Sequence, residues 1–170
     1  MKVLVLVDIQ NDFINGSLGV GKRKFNVAFN NIKSIFKDYD YYVVTKDWHP
    51  KDHCSFNTNG GKWPPHCIKN RKGSRVYDEL DEMLKDTKNV TILKGQEQNT
   101  EQYGVDCYDD EFDDSDITMD FVGLCYDYCV YNCAKITKAY HKNIKVRIIK
   151  NCTVAIDDNA KLDLSSLEVI

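Results

Sequence analysis

At 170 residues the chain is close to the length of one domain, and a domain of that size buries roughly 70% of the surface that its unfolded chain exposes. Hydrophobic residues make up 42% and charged residues 29%, which excludes a disordered or collagen-like chain. Lys and Arg total 23 against 26 Asp and Glu, a net charge of −3; that argues against nucleic acid or an anionic membrane as partner, since both draw affinity from a Lys/Arg excess.

The first predicted element is a strand over residues 2–7. Its apolar run, residues 3–7, is too short for a bilayer span or a signal-peptide core, so a cytosolic protein is expected. Further β-branched runs fall at 41–45, 90–93, 117–124 and 145–149. Between them lie helical stripes: Phe25, Ala28, Phe29, Ile32, Ile35 and Phe36; then Val76, Leu80, Met83 and Leu84; then Tyr126, Cys129, Val130, Cys133, Ile136, Thr137 and Tyr140. Continuous apolar strands alternating with amphipathic helices predict a three-layer α/β/α sandwich around a central, mostly parallel, doubly wound sheet. One domain over 1–170 is expected, with at most one short helix before the final residues.

Reactive residues stand where these strands end. Asp8 follows the first, Asp47 and His49 the second, Lys94 the third, and Cys125 with Cys129 the fourth. In an open parallel sheet the carboxyl edge is where ligands bind, so these residues converge on one crevice. Alone, Asp8 fits a turn cap, Lys94 a solvent charge and Cys129 a packed core thiol. Together they make a nucleophilic set: Cys129 as nucleophile in the first turn of a helix, Lys94 as the cation that favours its thiolate, Asp8 as the proton carrier. The backbone N–H groups of Cys125 and Cys129 would face a developing oxyanion.

Three of the four histidines, His49, His53 and His66, fall in the loop after the second strand, near Asp47, Cys54 and Cys67. Asp-x-His on extended chain puts both side chains on one side, and a later His closes a carboxylate and imidazole metal site. Surface histidines, or a closed zinc site using Cys54 and Cys67, are the competing readings. Residues 16–22, GSLGVGK, fit the outline of a phosphate-binding loop, but Arg23 replaces the needed Ser or Thr, so a glycine-rich turn with positive φ is expected instead. The acidic stretch Asp106, Asp109, Asp110, Glu111, Asp113, Asp114 and Asp116 lacks EF-hand spacing and reads as a solvated loop or helix face rather than a calcium site. Seven cysteines without a CxxC pair argue against a disulfide framework. Cys133 and Cys152 read as core, and Cys107 has no assigned role.

The blocks VDIQNDF (7–13), DWHPKDHCSF (47–56), WPPHC (63–67), LKG (93–95) and VGLCYDYCV (122–130) resemble, in order and over nearly the whole chain, the nicotinamidase/pyrazinamidase branch of the isochorismatase-like cysteine hydrolases. The resemblance implies hydrolysis of nicotinamide to nicotinate and ammonia through a thioester, a step of NAD salvage. It implies Asp8, Lys94 and Cys129 as the triad and Asp47, His49 and His66 as ligands of one divalent metal, with zinc first and iron or manganese as alternatives. His53 would be a further ligand or a group behind the ligands. The metal would orient the substrate by its pyridine nitrogen. Phe13, Trp63 and Tyr103 match positions that line the ring pocket, and Leu124–Cys125 matches a cis peptide. The implied partner is a small molecule, with a homo-oligomer left open.

This sequence departs from the family in three places. Cys125 replaces a small Ala, QYGVD at 102–106 replaces a serine-containing aromatic run, and the acidic stretch stands where a helix is expected. A cysteine hydrolase of the same fold acting on another small amide or a carbamoyl group is the alternative function. A silent binding protein is the alternative from a different class.

Overall fold

The computed structural model describes residues 1–110, 112 and 116–170. Six parallel strands form one sheet in the order β3-β2-β1-β4-β5-β6: β1 (Lys2–Val7), β2 (Tyr41–Asp47), β3 (Asn89–Lys94), β4 (Thr118–Leu124), β5 (Lys145–Val154) and β6 (Glu168–Val169). The sheet is continuous in apolar residues because both of its faces are covered. Leu4, Leu6, Tyr42 and Val44 pack into one core with Phe13 and Ile14 of α1 (Asn11–Asn15), Phe25, Ala28, Phe29 and Ile32 of α2 (Lys22–Ile35), and Leu80 and Leu84 of α3 (Asp78–Leu84). Val3, Val5, Val7 and Val43 point the other way, into a core with Cys133 and Ala134 of α4 (Tyr131–Tyr140). The period-2 alternation of a strand sends neighbouring residues to opposite layers, so an unbroken valine and leucine run serves both cores.

Strand order reverses beside β1, with β2 and β3 on one side and β4 to β6 on the other. The crevice beyond the strand ends at that reversal is the expected ligand site of such a sheet. Gly123 closes β4 against β1: its φ is +112° and a Cβ there would lie 2.3 Å from the Val7 carbonyl oxygen. Only glycine fits that approach.

Several elements differ from the sequence expectation. β5 runs to Val154, past the predicted end at 149, because the pairing register with β4 shifts between Phe121 and Gly123; the bulge admits Lys150 and Asn151 into a strand whose apolar run they interrupt. The tail carries no helix. It forms β6, with Arg147 opposite Glu168 and Ile148 opposite Val169. The single-turn helix α1 went unforeseen because five residues are too few to show a 3.6-residue period. In the acidic stretch, Cys107 and Phe112 are buried in the second core, Asp106 pairs with His141 at 2.7 Å and Asp109 accepts from the Tyr41 hydroxyl, so the segment is packed as well as solvated. Glu111, Asp113 and Asp114 lie outside the described residues. Among those described, no helix is long and apolar enough to cross a membrane.

Candidate active site

Parallel register places Asp47, the last residue of β2, directly beside Lys94, the last residue of β3. The Lys94 ammonium donates to Asp47 Oδ1, meets Asp8 Oδ2 at 2.8 Å and reaches Cys129 Sγ at 3.5 Å. The Asp8 contact is an ion pair off the alignment of a hydrogen bond, which leaves Oδ2 without a directed donor. Asp8 itself follows β1 with φ at +48°, a left-handed conformation uncommon outside glycine and tolerated best by Asp and Asn. Thr45 holds it there: the Thr45 hydroxyl donates to Asp8 Oδ1 at 2.7 Å, and the Asp8 N–H donates to the Thr45 carbonyl at 3.2 Å and to its hydroxyl oxygen at 3.3 Å. Cys129 lies in a wide turn, Tyr126–Val130, in which the Val130 N–H donates to the Cys125 carbonyl at 3.1 Å; that i to i+5 bond is the π pattern, frequent at functional sites. Cys129 therefore precedes α4 instead of opening it. The Leu124–Cys125 peptide is cis, and Asp8, Asp47 and Cys129 each offer an atom within 4.8 Å of the others.

These groups are almost wholly withdrawn from water: Asp8 and Lys94 are 0% exposed, Asp47 4% and Cys129 6%. Burial pushes the Lys94 ammonium down, but the Asp47 and Asp8 carboxylates outweigh it and hold the group charged. Burial also opposes ionisation of Asp47, where Lys94 and His49 prevail and keep the carboxyl below its usual range. For Asp8 the balance reverses, since burial raises its proton affinity more than Lys94 lowers it. Burial likewise pushes the Cys129 thiol well up, against the pull of Lys94. The resting pair is thus a protonated thiol beside a carboxylate that binds a proton readily, which suits an acid–base partner.

Next to this pair, Asp47, His49 and His66 present ligand atoms within 4.8 Å of one another. His49 Nδ1 bonds the Gly95 carbonyl at 2.8 Å and His66 Nδ1 bonds the Pro64 carbonyl at 2.8 Å. Each carbonyl requires a proton on Nδ1, which turns each Nε2 toward Asp47 Oδ2, at 3.4 Å and 3.8 Å; burial opposes a charge on His49, but the Asp47 carboxylate prevails and raises that ring's proton affinity. Burial favours the neutral form of His66. A carboxylate oxygen faced by two imidazole Nε2 atoms, each ring oriented from behind by a backbone carbonyl, is a donor set that fits a divalent transition metal, which would take the place of the His49 Nε2 proton. Gly95 is obligatory here: its φ is +63° and a Cβ would lie 2.3 Å from His49 Cε1.

His53 stands outside this set. Its Nδ1 bonds Ser55 Oγ at 2.7 Å and its Nε2 the Thr100 carbonyl at 3.0 Å, while its ring stacks on His49 with centroids 4.2 Å apart. Cys54 and Cys67 also fall outside the cluster. Instead, the Cys67 N–H donates to Asp12 Oδ2 at 2.8 Å and its carbonyl accepts from the His49 N–H at 3.0 Å, which anchors the His66 loop.

A small cavity opens beside these groups, lined by Phe13, Leu18, Asp47, Trp63, His66, Glu101, Gln102, Tyr103, Cys125, Tyr128, Cys129 and Ile156. It offers about 20 Å³ to the centre of a water-sized sphere, room for little more than one water. Phe13, Trp63 and Tyr103 line it as the sequence suggested. A larger cavity of about 480 Å³, between α2 and β5, includes Arg23, Lys24 and Lys150 but neither a nucleophile nor a metal-ligand set. Within the 16–22 segment Gly21 has φ at +94°, the turn expected of it.

A model of the isochorismatase domain matches residues 2–168. The chain belongs to the isochorismatase family. Similar members include the nicotinamidase of Saccharomyces cerevisiae, 29% identical over 201 residues covering 95% of this chain and 92% of the relative. The nicotinamidase/pyrazinamidase of Mycobacterium tuberculosis is 28% identical, covering 99% of this chain and 93% of the relative. Among solved structures, PnC1 of L. infantum in complex with nicotinate superposes with a TM-score of 0.79 at 28% identity, covering 100% of this chain and 96% of that one.

Cys125 brings a second thiol to the cavity wall, where burial pushes it well up. Sequence reading passed over Tyr128, Leu18, Glu101, Gln102 and Ile156 as lining residues. Tyr128 alone had a signal, its place beside Cys129; the others sit in loops without pattern. It also passed over Gln10, whose amide donates to the Asp47 carbonyl at 2.8 Å and accepts from the Asp47 N–H at 2.8 Å, clamping the residue that serves both clusters. All seven cysteines are free.

Proposed function

We propose that this protein is a metal-dependent cysteine amidohydrolase that converts nicotinamide to nicotinate and ammonia through a thioester on Cys129. The observation that carries the reading is the Lys94 ammonium, which contacts Asp8, Asp47 and Cys129 together at the edge of an aromatic cavity. The nicotinamidases among its relatives, similar over more than nine-tenths of this chain, supply the substrate.

In the first half-reaction the Cys129 thiol proton passes to Asp8 as sulfur forms a bond to the carboxamide carbon. The carbonyl electron pair moves to oxygen, facing the backbone N–H groups of Cys125 and Cys129. Collapse breaks the C–N bond, and Asp8 delivers its proton to the nitrogen, releasing ammonia. In the second half-reaction water gives a proton to Asp8 and adds to the thioester; the C–S bond breaks and the proton returns to sulfur. Throughout, Lys94 stays charged and lowers the cost of the thiolate. Asp47, His49 and His66 would hold one divalent ion, zinc first with iron or manganese as alternatives, whose coordination chemistry would supply an anchor for the ring nitrogen. Phe13, Trp63 and Tyr103 would flank the ring. Seven free thiols suit a reducing compartment such as the cytosol.

The test is ammonia release from nicotinamide by purified protein. Wild type is expected to turn over, Cys129→Ala to lose at least about 10⁴-fold, and chelation to abolish activity that added zinc, iron or manganese restores. Turnover surviving in Cys129→Ala would overturn the mechanism, and full activity after chelation would overturn the metal's role.

A further inference from the structure

Three aromatic side chains from three separate segments meet over the cavity beside Cys129. The Trp63 indole N–H donates to the Tyr103 hydroxyl at 3.1 Å, Trp63 meets Tyr128 edge-on with centroids 5.1 Å apart, and Tyr103 lies tilted against Tyr128 at 5.3 Å. The space beneath accepts a water but no aromatic ring, so a ring enters only when part of this roof moves. One exposed cation clips the roof from outside. Lys62 Nζ donates to the Tyr128 hydroxyl at 2.6 Å and sits 4.3 Å from the Trp63 ring centroid and 4.9 Å from that of Tyr128. Those three contacts coexist only while Trp63 and Tyr128 are together in the closed position. Lys62 is not itself among the cavity's lining residues.

We propose that Lys62 is a positioning residue that sets ring specificity by latching Trp63 to Tyr128. Its ammonium favours the closed roof by the sum of a charge-assisted hydrogen bond to Tyr128 and a cation–π contact with Trp63. Any ring displaces part of the roof, but an unsubstituted pyridine displaces it by less than a bulkier ring does, so the first strains the latch and the second breaks it. The latch therefore discriminates against ring substituents without contacting them. This deepens the proposed function, because it takes a ring carboxamide as the cavity's occupant.

Three proteins test it: wild type, Lys62→Met, which keeps most of the aliphatic stem without the charge, and Lys62→Arg, which keeps both charge and stacking. The first readout needs no turnover. Iodoacetamide labelling of Cys129, followed by peptide mass mapping with partly exposed Cys54 as the internal reference, is expected to run about fivefold faster in Lys62→Met and within about twofold of wild type in Lys62→Arg. The second is selectivity: the ratio of kcat/KM for nicotinamide to that for a ring-methylated nicotinamide is expected to fall about fivefold in Lys62→Met, through KM, and to recover in Lys62→Arg. Unchanged Cys129 labelling in Lys62→Met overturns the latch, as does nicotinamide turnover with unchanged selectivity. Faster labelling in a protein that hydrolyses neither carboxamide upholds the latch and overturns the proposed function.

Discussion

Two clusters of buried charge lie on the same sheet and are built on opposite terms. In the body of the sheet, Asp120 of β4 accepts from Arg147 Nε and Nη2 of β5, both at 2.6 Å, and from the Tyr39 hydroxyl at 2.7 Å. Both carboxylate oxygens have an aligned donor, and the guanidinium grips them as a fork. At the strand ends, one ammonium is shared by two carboxylates and a thiol, Asp8 Oδ2 lacks an aligned donor, and Asp47 Oδ2 faces two imidazole nitrogens. A buried charge with its partners complete secures the fold. One with its partners incomplete is available to a substrate, a proton or a metal.

The largest expected effect that separates the two clusters is Asp8→Asn. The amide keeps the shape and the Thr45 contact but cannot carry the proton, so ammonia release should fall about 10³-fold. The variant gives up the Asp8 charge beside Lys94 together with the cost of burying that charge, and because the two offset it should melt close to the parent. A calorimetric loss of stability would place Asp8 with the structural cluster instead. Asp120→Ala should behave in the opposite way, losing about 3 kcal/mol by leaving Arg147 unpaired at 22% exposure while the folded fraction retains its turnover; denaturant titration beside the ammonia assay checks both. Smallest is Tyr103→Phe, which removes the acceptor of the Trp63 N–H. KM for nicotinamide should rise about threefold with kcat unchanged, and a drop in kcat alone would move Tyr103 from the roof into the chemistry.

Much of the site was legible in the sequence because each member ends a strand or follows the end of one. A parallel sheet brings strand ends to one edge whatever the sequence distance, so Asp8, Asp47, Lys94 and Cys129 had to converge once the βα alternation was recognised. Which oxygen meets which nitrogen could not be read. That depends on the register of β2 against β3, on the left-handed turn at Asp8, and on the carbonyls of Pro64 and Gly95 that orient the imidazoles. The roof was legible only in part: Trp63 and Tyr103 stood out as aromatics, whereas Lys62 has the appearance of any solvated lysine. β6 was hidden for a different reason, since two residues with no apolar run of their own pair only because β5 offers a free edge.

Lys94 rides on β3, which hydrogen-bonds to β2 alone and forms one margin of the sheet. Margins breathe at lower free energy than central strands. A local opening of residues 89–94 would withdraw the ammonium from Asp8, Asp47 and Cys129 in one motion while β1 and β4 stay paired. On warming, inactivation would then begin as a reversible excursion of one strand, visible as early hydrogen exchange at Lys94, before the molecule unfolds. The fold hangs Cys129 beyond the end of a central strand and carries Lys94 on the rim.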